Sequence, residues 1–127
     1  MTNGQTNGAA EAAAELQRHG AKKGAARLIP AMAERVAHDF QPLRIILFGS
    51  HARGDADLDS DVDLLIVLPE GTDRRQAAID IRRALAAFPV SKDIIVTTPD
   101  EIARRSDLIG PVLRLALRDG KVLYDRG

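Results

Sequence analysis

Two short apolar runs set the strongest limit on what this chain can fold into. Arg44-Ile45-Ile46-Leu47-Phe48 and Val62 to Leu68 each place large apolar residues on consecutive positions. Runs this short and continuous suit strands covered on both faces. Gly49 ends the first run, and Pro69 and Gly71 stop the second. The residues between, 49–61, are small and polar. One residue breaks the second run. Asp63 lies inside it, where an unpaired charge costs several kcal/mol (about 3 or more) if it stays dry.

Helical signals surround these strands. Leu28, Met32, Val36 and Phe40 recur along one stripe, with Ile29, Ala33 and Ala37 beside them. Pro30 is tolerated in a first turn and is read as marking the start of this helix; Pro42 marks its end. Thr72 caps a helix expected from Asp73 to about Phe88, with Ala78, Ile81, Leu85 and Phe88 on its inner face. Pro89 ends it. Asp93 to Thr97 reads as a third strand. Thr98-Pro99-Asp100-Glu101 has the form of a capping box opening another helix. A last helix is expected from Ile109 to Arg118, with Gly120 as its C-terminal glycine, and Val122-Leu123-Tyr124 as a short edge strand. The order helix, strand, strand, helix, strand, helix, helix predicts an α/β (α+β) fold: a small mixed β-sheet flanked by helices.

Composition narrows the function classes. The 127 residues suit one domain. Lys plus Arg and Asp plus Glu both number 18, so the strong cationic field of a general nucleic-acid binder is missing. Aromatic residues are 3%, and no stacking platform for single strands is visible. No direct nucleic-acid partner is expected. The absence of cysteine excludes disulfides, thiolate metal sites and a Cys nucleophile. No apolar stretch approaches the ~18 residues of a membrane span. No signal peptide is visible, so the cytoplasm is the default. Residues 1–26 are rich in Ala and Gly, with a marginal helix at Ala9 to Gln17, and read as a flexible arm.

The chemistry concentrates in Leu47-Phe48-Gly49-Ser50-His51-Ala52-Arg53-Gly54 and Ser60-Asp61-Val62-Asp63-Leu64. Asp61 and Asp63 are two apart at the mouth of a strand and point to one face. A bare Asp-x-Asp is often a polar strand end facing water. Burial around Asp63 favours a divalent cation instead, and oxygen-only ligands with open positions suit Mg²⁺ on a substrate phosphate. If the third strand lies beside the second, Asp93 joins the same cluster; alone, it is as readily structural. Gly49-Ser50 follows a strand and precedes a short helical turn, which offers backbone amides to phosphate. Arg53 adds a cation one turn on.

Other motifs fail on detail. Asp55, Asp57, Asp59, Asp61 and Asp63 alternate, but a calcium loop starting at Asp59 has Leu64 where a glycine is required. Asp55, Asp57 and Asp59 are read as solvated loop charges. No Walker loop follows a strand. His19, His38 and His51 form no ligand pair, and His51 is read as a solvent-exposed loop residue beside the site.

The combined string from Gly49 to Gly54 and from Ser60 to Leu64 resembles the signature of the DNA polymerase β-like nucleotidyltransferase superfamily. More narrowly, it is similar to the minimal nucleotidyltransferases, the MntA-like antitoxins of HEPN toxin–antitoxin systems. The similarity runs from about Leu28 to Tyr124, within a domain placed at residues 27–127. It implies that Gly49 and Ser50 grip a nucleoside triphosphate and that Asp61 and Asp63 bind magnesium. Asp93 matches the third carboxylate, and Arg53 a motif position suited to phosphate contact or a local ion pair. The implied reaction moves AMP from ATP to a hydroxyl, expected on a tyrosine of a HEPN-type toxin. The alternative is an antitoxin that masks its partner without catalysis. A chain this small has little left for an acceptor site of its own.

Overall fold

The computed structural model describes residues 21–57, 60–104 and 118–126. Helix α1 spans Ala21–Phe40, strand β1 Arg44–Phe48, the short helix α2 Ser50–Arg53 and strand β2 Val62–Val67. Helix α3 spans Arg74–Ala84, strand β3 Lys92–Thr97, helix α4 Pro99–Arg104 and strand β4 Lys121–Asp125. The four strands form one sheet in the order β3-β2-β1-β4. β1 pairs antiparallel with β2 and β4, and β2 pairs parallel with β3. The sheet is therefore mixed, as the sequence predicts, and the expected edge strand at Val122–Tyr124 is β4.

Alternation along the strands divides the side chains between two faces. Val62, Leu64 and Ile66, with Ile45, Leu47 and Ile94, join the stripe of α1 and the inner face of α3 in the main core. Leu28, Met32, Val36, Ile81 and Leu85 are there with no exposed surface. Ile46, Phe48 and Leu65 form a smaller cluster on the opposite face, with Ile95 packed against it. Asp63 shares the parity of Leu65, so it lies on that second face. No described helix is long and apolar enough to cross a membrane.

Several boundaries differ from the sequence reading, each for a packing reason. Pro30 does not start α1 but sits inside it, with its ring exposed. Buried Ala25 extends the stripe one turn before Leu28, and the apolar contacts on both sides of Pro30 carry the helix through it. The expected division between arm and domain at residues 26 and 27 therefore falls within a helix. Thr72 is not the cap of α3. Its hydroxyl donates to the Pro69 carbonyl at 2.7 Å, closing a turn, while the Asp73 carboxylate accepts from the Gln76 N–H at 3.1 Å. The inner face of α3 uses buried Ala77, one turn before Ile81; Ala78 is half-buried. The α-helix stops at Ala84, but Leu85 and Phe88 still reach the core from the following turns.

The capping box at α4 is half formed. The Glu101 N–H donates to Thr98 Oγ1 at 3.2 Å, but the Glu101 carboxylate accepts from buried Thr97 Oγ1 at 3.0 Å and pairs with Arg74. The expected helix at Ala9–Gln17 lies outside the described residues, and that at Ile109–Arg118, with Gly120 as its cap, lies largely outside them.

Candidate active site

The site begins where β1 ends. Gly49 has φ 76° and ψ −157°, a backbone region essentially restricted to glycine. This turn redirects the chain into α2, whose Ala52 and Arg53 N–H groups both donate to the Gly49 carbonyl at 3.1 Å. Buried Ala52 anchors the turn against the core. Gly54 closes it in the left-handed region, and its N–H donates to the Ser50 carbonyl at 2.9 Å. The chain then returns through Asp57 and Ser60. The Asp57 N–H donates to Ser60 Oγ at 2.9 Å, and that hydroxyl donates to the Asp57 carboxylate at 3.1 Å.

β2 starts beside β3, with the Val62 N–H donating to the Ser91 carbonyl at 2.9 Å. The register then sets Phe48, Asp63 and Asp93 side by side on three neighbouring strands. Asp63 and Asp93 are thus lateral neighbours on one face, about 5 Å apart at the backbone, as adjacent strands are. Asp61 precedes them on the same face and is exposed, as is Asp93; Asp63 is half-buried. Val62 points the other way, into the core.

Glycine at position 49 does a second job. A Cβ built there would run into the Asp63 Oδ2 atom and lie 3.2 Å from Asp63 Cγ. The carboxylate of Asp63 therefore rests directly over the start of α2. Burial raises the Asp63 pKa above its ordinary value of 3.8; the Asp93 and then Asp61 charges push it the same way, and His51 and Arg53 pull it down. Asp61, Asp93, His51 and Arg53 thus all lie close enough to Asp63 for their charges to act on it. Ser50, on the first residue of α2, is half-buried. Arg53 is exposed and holds Asp55, with Nε 3.3 Å from the carboxylate.

This donor set fits a divalent cation. Its ligands are all carboxylate oxygens, and the two that sit laterally carry a repulsion that a cation removes. Among the described residues no three carboxylates or imidazoles are already gathered to metal-ligand range. Two carboxylates with open positions suffice for Mg²⁺, which completes its shell with water and phosphate.

His51 is the residue the sequence reading placed wrongly. It is half-buried rather than solvent-exposed, and its Nε2 atom is enclosed with no hydrogen-bond partner. An apolar cavity of about 380 Å³, lined by Leu43, Arg44, Val67, Pro99 and Ile102, lies at the opposite end of the strands and includes none of the site residues.

The sequence profile described as nucleotidyltransferase domain matches residues 29–116, which contain every one of these site residues. The chain belongs to the nucleotidyltransferase domain family. The chain is 36% identical over 89 residues to "Putative protein adenylyltransferase MJ1305" of Methanocaldococcus jannaschii, covering 66% of the chain and 59% of that relative. It is 41% identical over 54 residues to "Putative protein adenylyltransferase MJ0141" of the same organism, covering 42% of the chain and 54% of that relative. The chain thus spans less than two thirds of the length of either relative. Solved structures share the fold. A "putative nucleotidyltransferase" from Sulfolobus solfataricus superposes with a TM-score of 0.53 at 24% identity, covering 80% of both chains. A toxin–antitoxin structure with AMP-PNP gives 0.53 at 22% identity, covering 77% of this chain and 74% of the other. A toxin–antitoxin MntA–HpeT mutant gives 0.51 at 20%, covering 76% and 73%.

Proposed function

We propose that this nucleotidyltransferase transfers AMP from ATP to a hydroxyl, on a tyrosine, of a HEPN-type toxin, and so acts as its antitoxin in the cytoplasm. The observation that carries the reading is the lateral register of Asp63 and Asp93, with the Asp63 carboxylate resting on Gly49. The protein adenylyltransferase names of its relatives and the AMP-PNP and toxin–antitoxin context of its structural neighbours agree with it. Asp61, Asp63 and Asp93 would hold Mg²⁺, which when bound supplies charge stabilisation to the reacting phosphates.

The chain's own residues divide the remaining work. Gly49 and Ser50 open α2, whose first-turn N–H groups and the Ser50 hydroxyl would meet phosphate oxygens. Arg53, one turn on, adds positive charge beside them. Asp93 is the exposed member of the lateral pair and hence the carboxylate an incoming hydroxyl reaches first. The hydroxyl gives its proton to the Asp93 carboxylate as its oxygen bonds to the α-phosphorus, the bond from that phosphorus to the bridging oxygen breaks, and pyrophosphate leaves. In-line displacement of this kind depends chiefly on positioning and electrostatics.

The test uses ATP labelled at its α-phosphate, MgCl₂ and a purified HEPN-type toxin. Label should pass to the toxin with the wild type and not with Asp63→Asn, whose circular dichroism should match the wild type. Labelling by that variant refutes the site assignment. Equal neutralisation of the toxin by the wild type and by the Asp61→Ala/Asp63→Ala double variant refutes catalysis in favour of masking.

A further inference from the structure

The arginines of α3 divide into an engaged pair and an unengaged one. Arg74 pairs with Glu101, and Arg82 donates to the Ile94 carbonyl at 3.2 Å. Arg75 and Arg83 are exposed, and no hydrogen bond or ion pair among the described residues engages either. The carboxylates nearest in sequence are occupied by Gln76: Asp73 accepts from its N–H at 3.1 Å and Asp80 from its Nε2 at 3.0 Å. Arg75 also stands in the first turn of α3, where a cation opposes the helix dipole. Its place there does not serve the helix. Ile79 lies one turn from both Arg75 and Arg83 on the same stripe, and at 38% it is an exposed large apolar side chain.

A groove of about 620 Å³ runs beside this stripe, lined by Thr72, Asp73, Arg74, Arg75, Ala78 and Val96. Half-buried Ala78 and Val96 supply its apolar part. Val96 belongs to β3, an edge strand of the sheet. The Ser91 and Thr97 carbonyls accept from β2, so by alternation the Ile94 carbonyl faces the free edge. Arg82 covers that carbonyl, which hinders strand addition and leaves side chains to make the contacts. Asp93 begins the same strand, three residues or about 10 Å from Val96. A protein seated in the groove is therefore within reach of the candidate active site.

We infer that the groove between α3 and β3 docks the protein that receives AMP, which meets Arg75 with a carboxylate and Ile79 with an apolar side chain. The identity of that partner rests on the function proposed above. An unpaired arginine beside an exposed apolar residue is the chemistry of a protein interface and calls for an acidic partner. A nucleic acid fits less well, because Asp61, Asp63 and Asp93 at the head of the same sheet edge repel a phosphate backbone.

The test measures binding of the purified HEPN-type toxin calorimetrically, without nucleotide or metal, and then toxin labelling by α-labelled ATP. Arg75→Glu should weaken binding about tenfold or more, and Ile79→Ala about fivefold. Lys121→Glu makes the same charge change on β4, the other edge strand, and should stay within about twofold of wild type. Arg75→Glu replaces a cation by an anion in a first turn, so its urea midpoint should equal or exceed that of wild type, which separates lost docking from lost folding. In labelling, Arg75→Glu should raise the KM for toxin and leave kcat within about twofold, because the groove lies apart from the reacting atoms. Toxin affinity of Arg75→Glu within about twofold of wild type overturns the inference, as does equal weakening by Lys121→Glu or a wild type that binds no toxin. Self-association of the free chain, or binding of a single-stranded RNA oligonucleotide, that Arg75→Glu abolishes while toxin binding persists assigns the groove to a second copy or to nucleic acid, and also overturns it. Toxin bound through Arg75 but never labelled refutes the proposed transfer and leaves the docking surface standing; labelling indifferent to Arg75→Glu does the reverse.

Discussion

Replacing Gly49 by alanine should damage this protein in two separable ways. The first is conformational. At φ 76° and ψ −157° an L-residue is held in a glycine-only region, at about 1–3 kcal/mol. The second is steric. The new methyl would collide with the Asp63 carboxylate, and forcing an extra carbon into packed surroundings costs about 1–3 kcal/mol. Gly49→Ala should therefore lose about 2–6 kcal/mol in urea denaturation at pH 7, with an unchanged m-value. Gly54 is the internal control. It has φ 88° and ψ 11°, and a Cβ there meets nothing within 4 Å, so Gly54→Ala should cost only about 1–2 kcal/mol. Truncating the carboxylate isolates the steric part. In Asp63→Ala only the Cβ remains, 3.5 Å from the new methyl and in ordinary contact. On that background Gly49→Ala should cost about 1–2 kcal/mol less than in wild type. A Gly49→Ala variant within about 0.5 kcal/mol of wild type, or an equal penalty on both backgrounds, refutes the reasoning.

Three further outcomes follow from other parts of the structure. Burial and then Asp93 hold the Asp63 pKa above 3.8, so the folded state binds this proton more tightly than the unfolded state. Stability from this group is then lost as pH rises from 3.8 through the folded value, and metal-free Asp63→Asn should exceed wild type at pH 7 by about 0.5–1 kcal/mol. Paired urea titrations should show that gap closing as pH falls toward 3.8; a gap that grows on acidification reverses the sign and the argument. MgCl₂ should raise the melting temperature of wild type and leave that of Asp63→Asn unchanged, a difference EDTA should erase in a thermal-shift assay. Pro30→Ala restores a helical N–H at an exposed interior position of α1 and should stabilise by about 1–3 kcal/mol, read as a higher urea midpoint; a lower midpoint shows that α1 does not run through residue 30 in solution.

Much of the site was legible because its constraints are local. Gly49 follows an apolar run and Asp63 interrupts one, and either anomaly is visible without coordinates. His51 was not legible. Nothing in its neighbours' types distinguishes a loop imidazole from one whose Nε2 is enclosed, because that depends on how a turn of four residues packs on β1 and β2. The helix boundaries failed for a related reason. Pro30 and Thr72 are strong local signals, but contacts distant in sequence outweighed one, and a competing side chain, Asp73, displaced the other.

By itself the sequence determined the strands, the stripe of α1, the glycine turn and the pairing of Asp61 with Asp63, because each follows from residue spacing along a single element. Tertiary structure alone decided that β3 lies parallel beside β2, which turns Asp93 from a strand-start carboxylate into the lateral neighbour of Asp63. It also decided that the Asp63 carboxylate occupies the space a side chain at position 49 would need. Both facts depend on register between strands separated by a helix or a loop. Such register is set by which apolar faces can be buried together, and no local pattern carries it.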